Sequence, residues 1–174
     1  MKNWNQYWFE KIYNHRNYFL STMSWLISDK LFLVLFFSFW TTIWLLIRHD
    51  IVLFYKLALN VGFILLLIRI VVDGIIKKLT YHPRPYLVDG DVLPLGKKEQ
   101  NSASPSGHTT AVVAIVFTLI LYSPWFILLT PLIPLIMWSR VYNGLHWPLD
   151  VFLGVIVGLV FCNVSFMLTN FIFK

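Results

Sequence analysis

With 174 residues the chain has the length of one domain, yet 58% of it is hydrophobic, only 13% is charged, and its mean hydropathy is +0.70. A soluble domain carries roughly 25% charged residues, so these values exclude a water-soluble fold and leave the bilayer as solvent. The net charge of +6 suits anionic lipid headgroups, with most basic residues placed to anchor helices at the interface; no nucleic-acid partner is expected.

In chain order, residues 1–30 repeat Trp4, Trp8, Ile12, Phe19, Met23 and Ile27 at one or two helical turns, with Asn5, Lys11, Asn14 and Arg16 between them. That pattern predicts an amphipathic helix lying in the membrane interface. The N-terminus lacks a short apolar core followed by small residues, so no cleavable signal peptide is expected. A spanning helix needs ~20 largely apolar residues, ~17 at the least. Leu31–Ile47, Ile51–Ile76, His108–Tyr122, Trp125–Val141 and Pro148–Phe173 supply five such segments, the third short and the fourth bent by Pro131 and Pro134. A sixth span through Tyr18–Leu35 is the alternative, and it would bury Asp29 and Lys30. The expected fold is an all-α, polytopic membrane helical bundle: an N-terminal segment 1–30, then one membrane domain, 31–174. The single cysteine, Cys162, sits in an apolar run and excludes an intramolecular disulfide.

Five spans put Lys77–His108, which contains the only long hydrophilic stretch, Lys77–Gly107, on the same side of the membrane as Ser139–Asp150. Three polar clusters therefore meet on one face: Lys77 with Arg84-Pro85, Pro105-Ser106-Gly107-His108, and Ser139-Arg140 with His146 and Asp150. Lys77, Arg84 and Arg140 are fixed cations; an arginine fork grips phosphate oxygens in pairs, and lysine acts as a point charge. Ser106 and Gly107 precede a helix, whose free N–H groups and positive end attract an anion, and Gly107 permits close approach of backbone. A tetrahedral anion fits such a cradle. Two histidines flank it. Asp150, four residues after His146, can hold one ring nitrogen and leave the other free to attack, while His108 is free to protonate a leaving oxygen. No Asp, Glu and His set has metal-ligand spacing, so neither metal nor cofactor is expected.

Lys77-x6-Arg84-Pro85, Pro105-Ser106-Gly107-His108 and Ser139-Arg140-x5-His146-x3-Asp150 fix eleven identities, and together they resemble the signature motifs of the type 2 phosphatidic acid phosphatase superfamily. The resemblance covers residues 50–165. It implies a metal-independent membrane phosphatase in which His146 is phosphorylated, Asp150 orients it, His108 protonates the leaving group, and Lys77, Arg84, Ser106, Gly107 and Arg140 hold the phosphoryl oxygens. His82, outside the motif positions, reads as a local interface residue.

The small size resembles bacterial members that act on envelope lipids. Lipid A 1-phosphate is the expected substrate, undecaprenyl diphosphate the alternative, then phosphatidylglycerophosphate or phosphatidic acid. The same motifs are shared with vanadium-dependent haloperoxidases, which the apolar spans argue against. A non-catalytic lipid-binding or transport protein would be marked by loss of His108, His146 or Asp150, and all three are present. The resemblance implies a bacterial inner-membrane protein with its site toward the periplasm. The basic residues crowd the site face, which by the positive-inside rule points the other way. Nothing in the sequence sets an oligomeric state.

Overall fold

The computed structural model describes residues 3–174, and among them every regular element is helical; Lys2, which the sequence alone counts among the basic residues of the site face, lies outside the described residues. The N-terminal segment is two helices rather than one. In α1 (Trp4–Tyr13), Asn3 accepts a hydrogen bond from the Gln6 N–H and Gln6 returns one, while α2 (Tyr18–Ser28) is capped by Asn17, which accepts from the Leu20 N–H. Asparagine side chains satisfy orphaned N–H groups at helix starts, so Asn17 opens a new helix where the apolar period alone would have run on. The same happens at Asp29: its carboxylate accepts from the Phe32 N–H at 2.9 Å and starts α3 (Lys30–Arg48). No single helix therefore runs through Tyr18–Leu35, the alternative sixth span.

Asp50 caps α4 (Ile51–Leu67), which continues without a break through a π-helical stretch, Ile68–Ile76, into α5 (Lys77–Leu79). A short α6 (Pro85–Val88) follows, then α7 (Gly107–Tyr122). The fourth apolar segment changes helix type near Pro131. It begins as a 3-10 helix, Pro124–Leu129, and becomes α8 (Leu132–Tyr142) after Pro131. Pro131 takes the N-cap and Pro134 the first turn, where a missing N–H costs no helical hydrogen bond. Pro148 opens α9 (Pro148–Ile172).

Among the described residues four helices are long and apolar enough to cross a membrane: Lys30–Arg48, Ile51–Leu79, Pro124–Tyr142 and Pro148–Ile172. Helix α7, at sixteen residues, is apolar but shorter. It packs along α9, and the contact depends on two glycines. A Cβ at Gly154 would come within 2.9 Å of the Ser106 carbonyl oxygen, and one at Gly158 within 2.8 Å of both the Thr110 carbonyl oxygen and Val113 Cβ. Small residues four apart let two membrane helices approach closely enough for dispersion to hold them where no hydrophobic force acts. The polar clusters are thereby carried on a tight α7–α9 pair. At the other wall, Ile64 and Val72 from the α4 rod pack with Ala114, Phe161 and Cys162.

Candidate active site

Each cluster sits where a helix starts or ends. Lys77 lies just past the π-helical stretch, Arg84 is the N-cap of α6, Ser106 that of α7, Arg140 falls in the last turn of α8, and Asp150 in the first turn of α9. The structure brings them together: Lys77, Arg84, Gly107, His108, Arg140 and His146 all line one cavity of about 810 Å³. From there the cavity runs between α3, α4 and α7 along apolar side chains such as Leu33, Phe37, Leu57, Val61 and Ile115.

His146 is 2% exposed. Its Nδ1 lies 2.7 Å from the Ala103 carbonyl oxygen, and a carbonyl only accepts, so Nδ1 carries the proton. Nε2 is left with its lone pair, and the Arg84 Nη1 is 3.5 Å away on that side. Burial first, then the charges of Arg140, Arg84 and Lys77 and the nearby His108, hold the imidazole well below the ordinary histidine value. It is a neutral nitrogen base facing cations.

Asp150 is placed differently from the expectation. Its Oδ2 accepts the Trp147 N–H at 2.8 Å and stands 3.9 Å from His146 Nδ1, so it does not hold the ring directly. Its Oδ1 is 3.0 Å from Nδ1 of His82, which is therefore no mere interface residue. The reason lies at the helix end: the unpaired N–H of Trp147 at the start of α9 competes for the carboxylate and is closer. The Ser106 N–H, expected to be free for an anion, instead donates to the Asp150 main-chain carbonyl at 3.0 Å. Of that pair only the Gly107 amide stays uncommitted to these partners, and Gly107 has Lys77 Nζ about 4.0 Å from where its Cβ would stand.

The cations differ in how they are satisfied. All five N–H donors of Arg84 have partners: Nε bonds the Asn101 carbonyl, Nη1 the Leu145 carbonyl and His146, and Nη2 the Asn101 side chain at 2.6 Å and Glu99 at 2.7 Å. Tyr86 fixes Glu99 in turn, its hydroxyl donating to the Glu99 carbonyl and accepting from the Glu99 N–H. Lys77 donates to Asp73 at 2.9 Å. Arg140 is 6% exposed and its buried Nε has no hydrogen-bond partner. An unpaired buried guanidinium N–H is costly, and here it belongs to a side chain lining the cavity. Ser139, the remaining polar residue of the third cluster, faces away: its hydroxyl meets that of Ser28 at 2.8 Å and helps tie α2 to α8.

Sequence reasoning missed Ala103, Glu99, Asn101, Asp73 and the role of His82 as a partner of Asp150. Asp73 had a readable signal, being one turn before Lys77 on the same helix. The Ala103 carbonyl had none. Among the described residues no group of three His, Cys, Asp or Glu side chains is placed to hold a metal ion.

The family model described as the PAP2 superfamily matches residues 56–174, a stretch that contains all three clusters. An undecaprenyl-diphosphatase of Sulfolobus acidocaldarius is 33% identical over 111 residues, 61% of this chain and 54% of that protein, so the chain spans about half the length of that curated relative. Of solved structures, Aquifex aeolicus LpxE matches with a TM-score of 0.67 at 25% identity, over 94% of this chain and 95% of that one. The first transmembrane PAP2-type phosphatidylglycerolphosphate phosphatase from Bacillus subtilis matches with a TM-score of 0.66 at 21% identity, over 90% and 80%, a likeness of fold alone. The chain is a multi-pass membrane protein, and it belongs to the PAP2 superfamily.

Proposed function

We propose that this protein is a metal-independent lipid phosphatase that removes a phosphate monoester or diphosphate group from an envelope lipid through a phosphohistidine. One observation carries the reading: an apolar cavity between α3, α4 and α7 ends at His146, Arg84, Lys77 and Arg140. A lipid chain fits the apolar part, and its phosphate arrives where the cations and the unprotonated Nε2, which has Arg84 Nη1 at 3.5 Å, are. In the first step the Nε2 lone pair forms an N–P bond to the terminal phosphorus as the P–O bond to the lipid oxygen, or to the lipid phosphate of a diphosphate, breaks, and the departing oxygen takes a proton from His108, which is charged once the bound phosphate offsets the surrounding cations. Water then attacks phosphorus and gives a proton back to His108 as the N–P bond breaks, inorganic phosphate leaves, and neutral His146 returns. Because Nδ1 keeps its proton on Ala103, the phosphorylated ring is cationic. The Asp150 carboxylate 3.9 Å away is its counter-charge, an attraction of about 4 kcal/mol at an effective dielectric of 20. Lys77, Arg140 and the Gly107 amide, with Arg84, hold the phosphoryl oxygens, so no divalent ion is needed to offset charge.

Likeness in sequence to an undecaprenyl-diphosphatase favours undecaprenyl diphosphate over lipid A 1-phosphate, with phosphatidylglycerophosphate third. We place α7 as a fifth span, residues 1–30 as an interfacial segment, and the site toward the periplasm of a bacterial inner membrane. Phosphate release from the three purified lipids, with and without EDTA, tests the reaction: release that survives chelation is expected, and abolition with rescue by magnesium overturns the mechanism. A cysteine in 86–104, in a Cys162→Ala background, tests sidedness; labelling of intact cells by an impermeant thiol reagent is expected.

A further inference from the structure

We propose that His82 is a positioning residue for the nucleophile, gripping the His146 site from both sides through Asp150 and Ala103. The inference rests on the phosphohistidine reading above. On one side, the His82 imidazole Nδ1 donates to Asp150 Oδ1 at 3.0 Å. Asp150 is fully buried, and its other oxygen takes the Trp147 N–H, next in sequence to His146. On the other side, the His82 carbonyl accepts the Ala103 N–H at 2.8 Å, and the Ala103 carbonyl is the group that holds His146 Nδ1 at 2.7 Å. The same residue thus stands one bond from each group that sets the tautomer or the counter-charge of His146. Its own backbone is pinned as well, the N–H donating to the Ser102 hydroxyl, which in turn donates to the Thr80 carbonyl.

A buried carboxylate that loses a donor turns toward those that remain, and Asp150 has the Ser104 side chain and His146 Nδ1, 3.9 Å away. Without His82 the carboxylate has reason to swing toward the ring, pulling Nδ1–H off Ala103 and Nε2 out of line with the phosphate. Outer groups that orient reactive ligands commonly change rates by 10–100-fold when removed. The main-chain arm survives any substitution, so the side-chain arm is separable. No hydrogen bond or ion pair joins the His82 side chain to Lys77, Arg140 or Gly107.

The experiment compares His82→Leu and His82→Asn, side chains of equal size of which only asparagine offers a donor near the Nδ1 position. Steady-state phosphate release and inhibition by vanadate are measured on purified protein with the best lipid of the panel. His82→Leu should lower kcat by about 10–100-fold, with KM and the vanadate inhibition constant within about twofold. His82→Asn should recover kcat to within about threefold of wild type. Equal kcat in His82→Leu and wild type, equal loss in both variants, or a loss appearing in KM and vanadate binding instead would each overturn the proposal. If His82→Leu does not fold, His82→Ala is compared with His82→Asn by the same measure. Absence of phosphate release from wild type on every lipid would overturn the phosphatase reading itself, and this inference with it.

Discussion

Eight of the sixteen residues of α7 are buried, whereas of the nineteen in α3 only Phe37 is. Helices α7 and α9 touch backbone to backbone at Gly154 and Gly158 and hold Ser106, His108 and Asp150, while α3 and the first turns of α4 turn Phe37 and Leu57 toward a cavity and large apolar side chains such as Leu46 and Val52 outward. The difference matches what each wall would have to do in the proposed reaction. Reacting groups must be held within fractions of an ångström, which packed cores supply. A groove for a lipid chain needs only an apolar surface of roughly the right width.

The sharpest way to break this division is to remove the attacking group from the tight wall. His146→Ala should lower phosphate release by at least about a thousandfold, with no phosphorylated protein trapped on rapid acid-free quenching. A trapped phosphoprotein in that variant would move the nucleophile elsewhere. Next, Gly158→Val forces a side chain into the Thr110 carbonyl and Val113. Overpacking of this kind costs about 1–3 kcal/mol, read as a lowered Tm in detergent. Leu46→Ala on the outward face of α3 should stay within about 0.5 kcal/mol of wild type. If the two substitutions cost the same, the walls are not differently built.

A third substitution sharpens the comparison from the loose side. Ala58→Trp fills the groove from α4 and should raise KM for a long-chain lipid by about tenfold, a loss of about 1.4 kcal/mol of binding. Turnover of a short, water-soluble phosphate monoester should hold within about twofold. Equal loss on both substrates would mean that the lipid chain does not lie there.

The smallest effect is an absence of change with pH. His146 is held well below the ordinary histidine value by burial and then by Arg140, Arg84, Lys77 and His108. Its ring nitrogens should keep the NMR shifts of the neutral Nδ1–H form as pH falls from 7.5 through about 6.5, the usual histidine value. The sign for stability follows: unfolded, this histidine takes up a proton near pH 6.5 that the folded protein refuses. Its contribution to stability is therefore full above that pH and is lost as pH drops toward the depressed folded value.

How much of this was legible in the sequence depends on whether a contact is local. The spacing of Lys77, Arg84, Gly107, His108, Arg140 and His146 forecast residues that do share one cavity. Helix starts at Asn17 and Asp29 were also readable as capping residues, but the apolar period over residues 1–30 hid them. The Gly154 and Gly158 spacing was a readable signal as well. Three facts were beyond reach: that a main-chain carbonyl at Ala103 holds the imidazole, that Asp150 turns to Trp147 and His82, and that Glu99 and Asn101 fold back on Arg84. Each joins residues many positions apart or backbone atoms that every residue has, and neither leaves a mark in one sequence.

Arg84 has no spare donor, and that alters what binding means at this site. A phosphate cannot simply be added to a guanidinium whose five N–H groups are taken; it must displace a ligand, and the Glu99 carboxylate, whose side chain is 41% exposed, is the one free to swing out. In the proposed reaction, capture of substrate is then an ion exchange, one anion for another, with little change in the charge the cavity holds. On the same reading the exchange run backwards would expel the product: as inorganic phosphate loosens, a carboxylate whose backbone is held by Tyr86 is already alongside to replace it. The protein thus carries its own competing anion, which keeps the buried Arg84 paired when no phosphate is bound and, in the proposed reaction, discourages the site from retaining what it has just made.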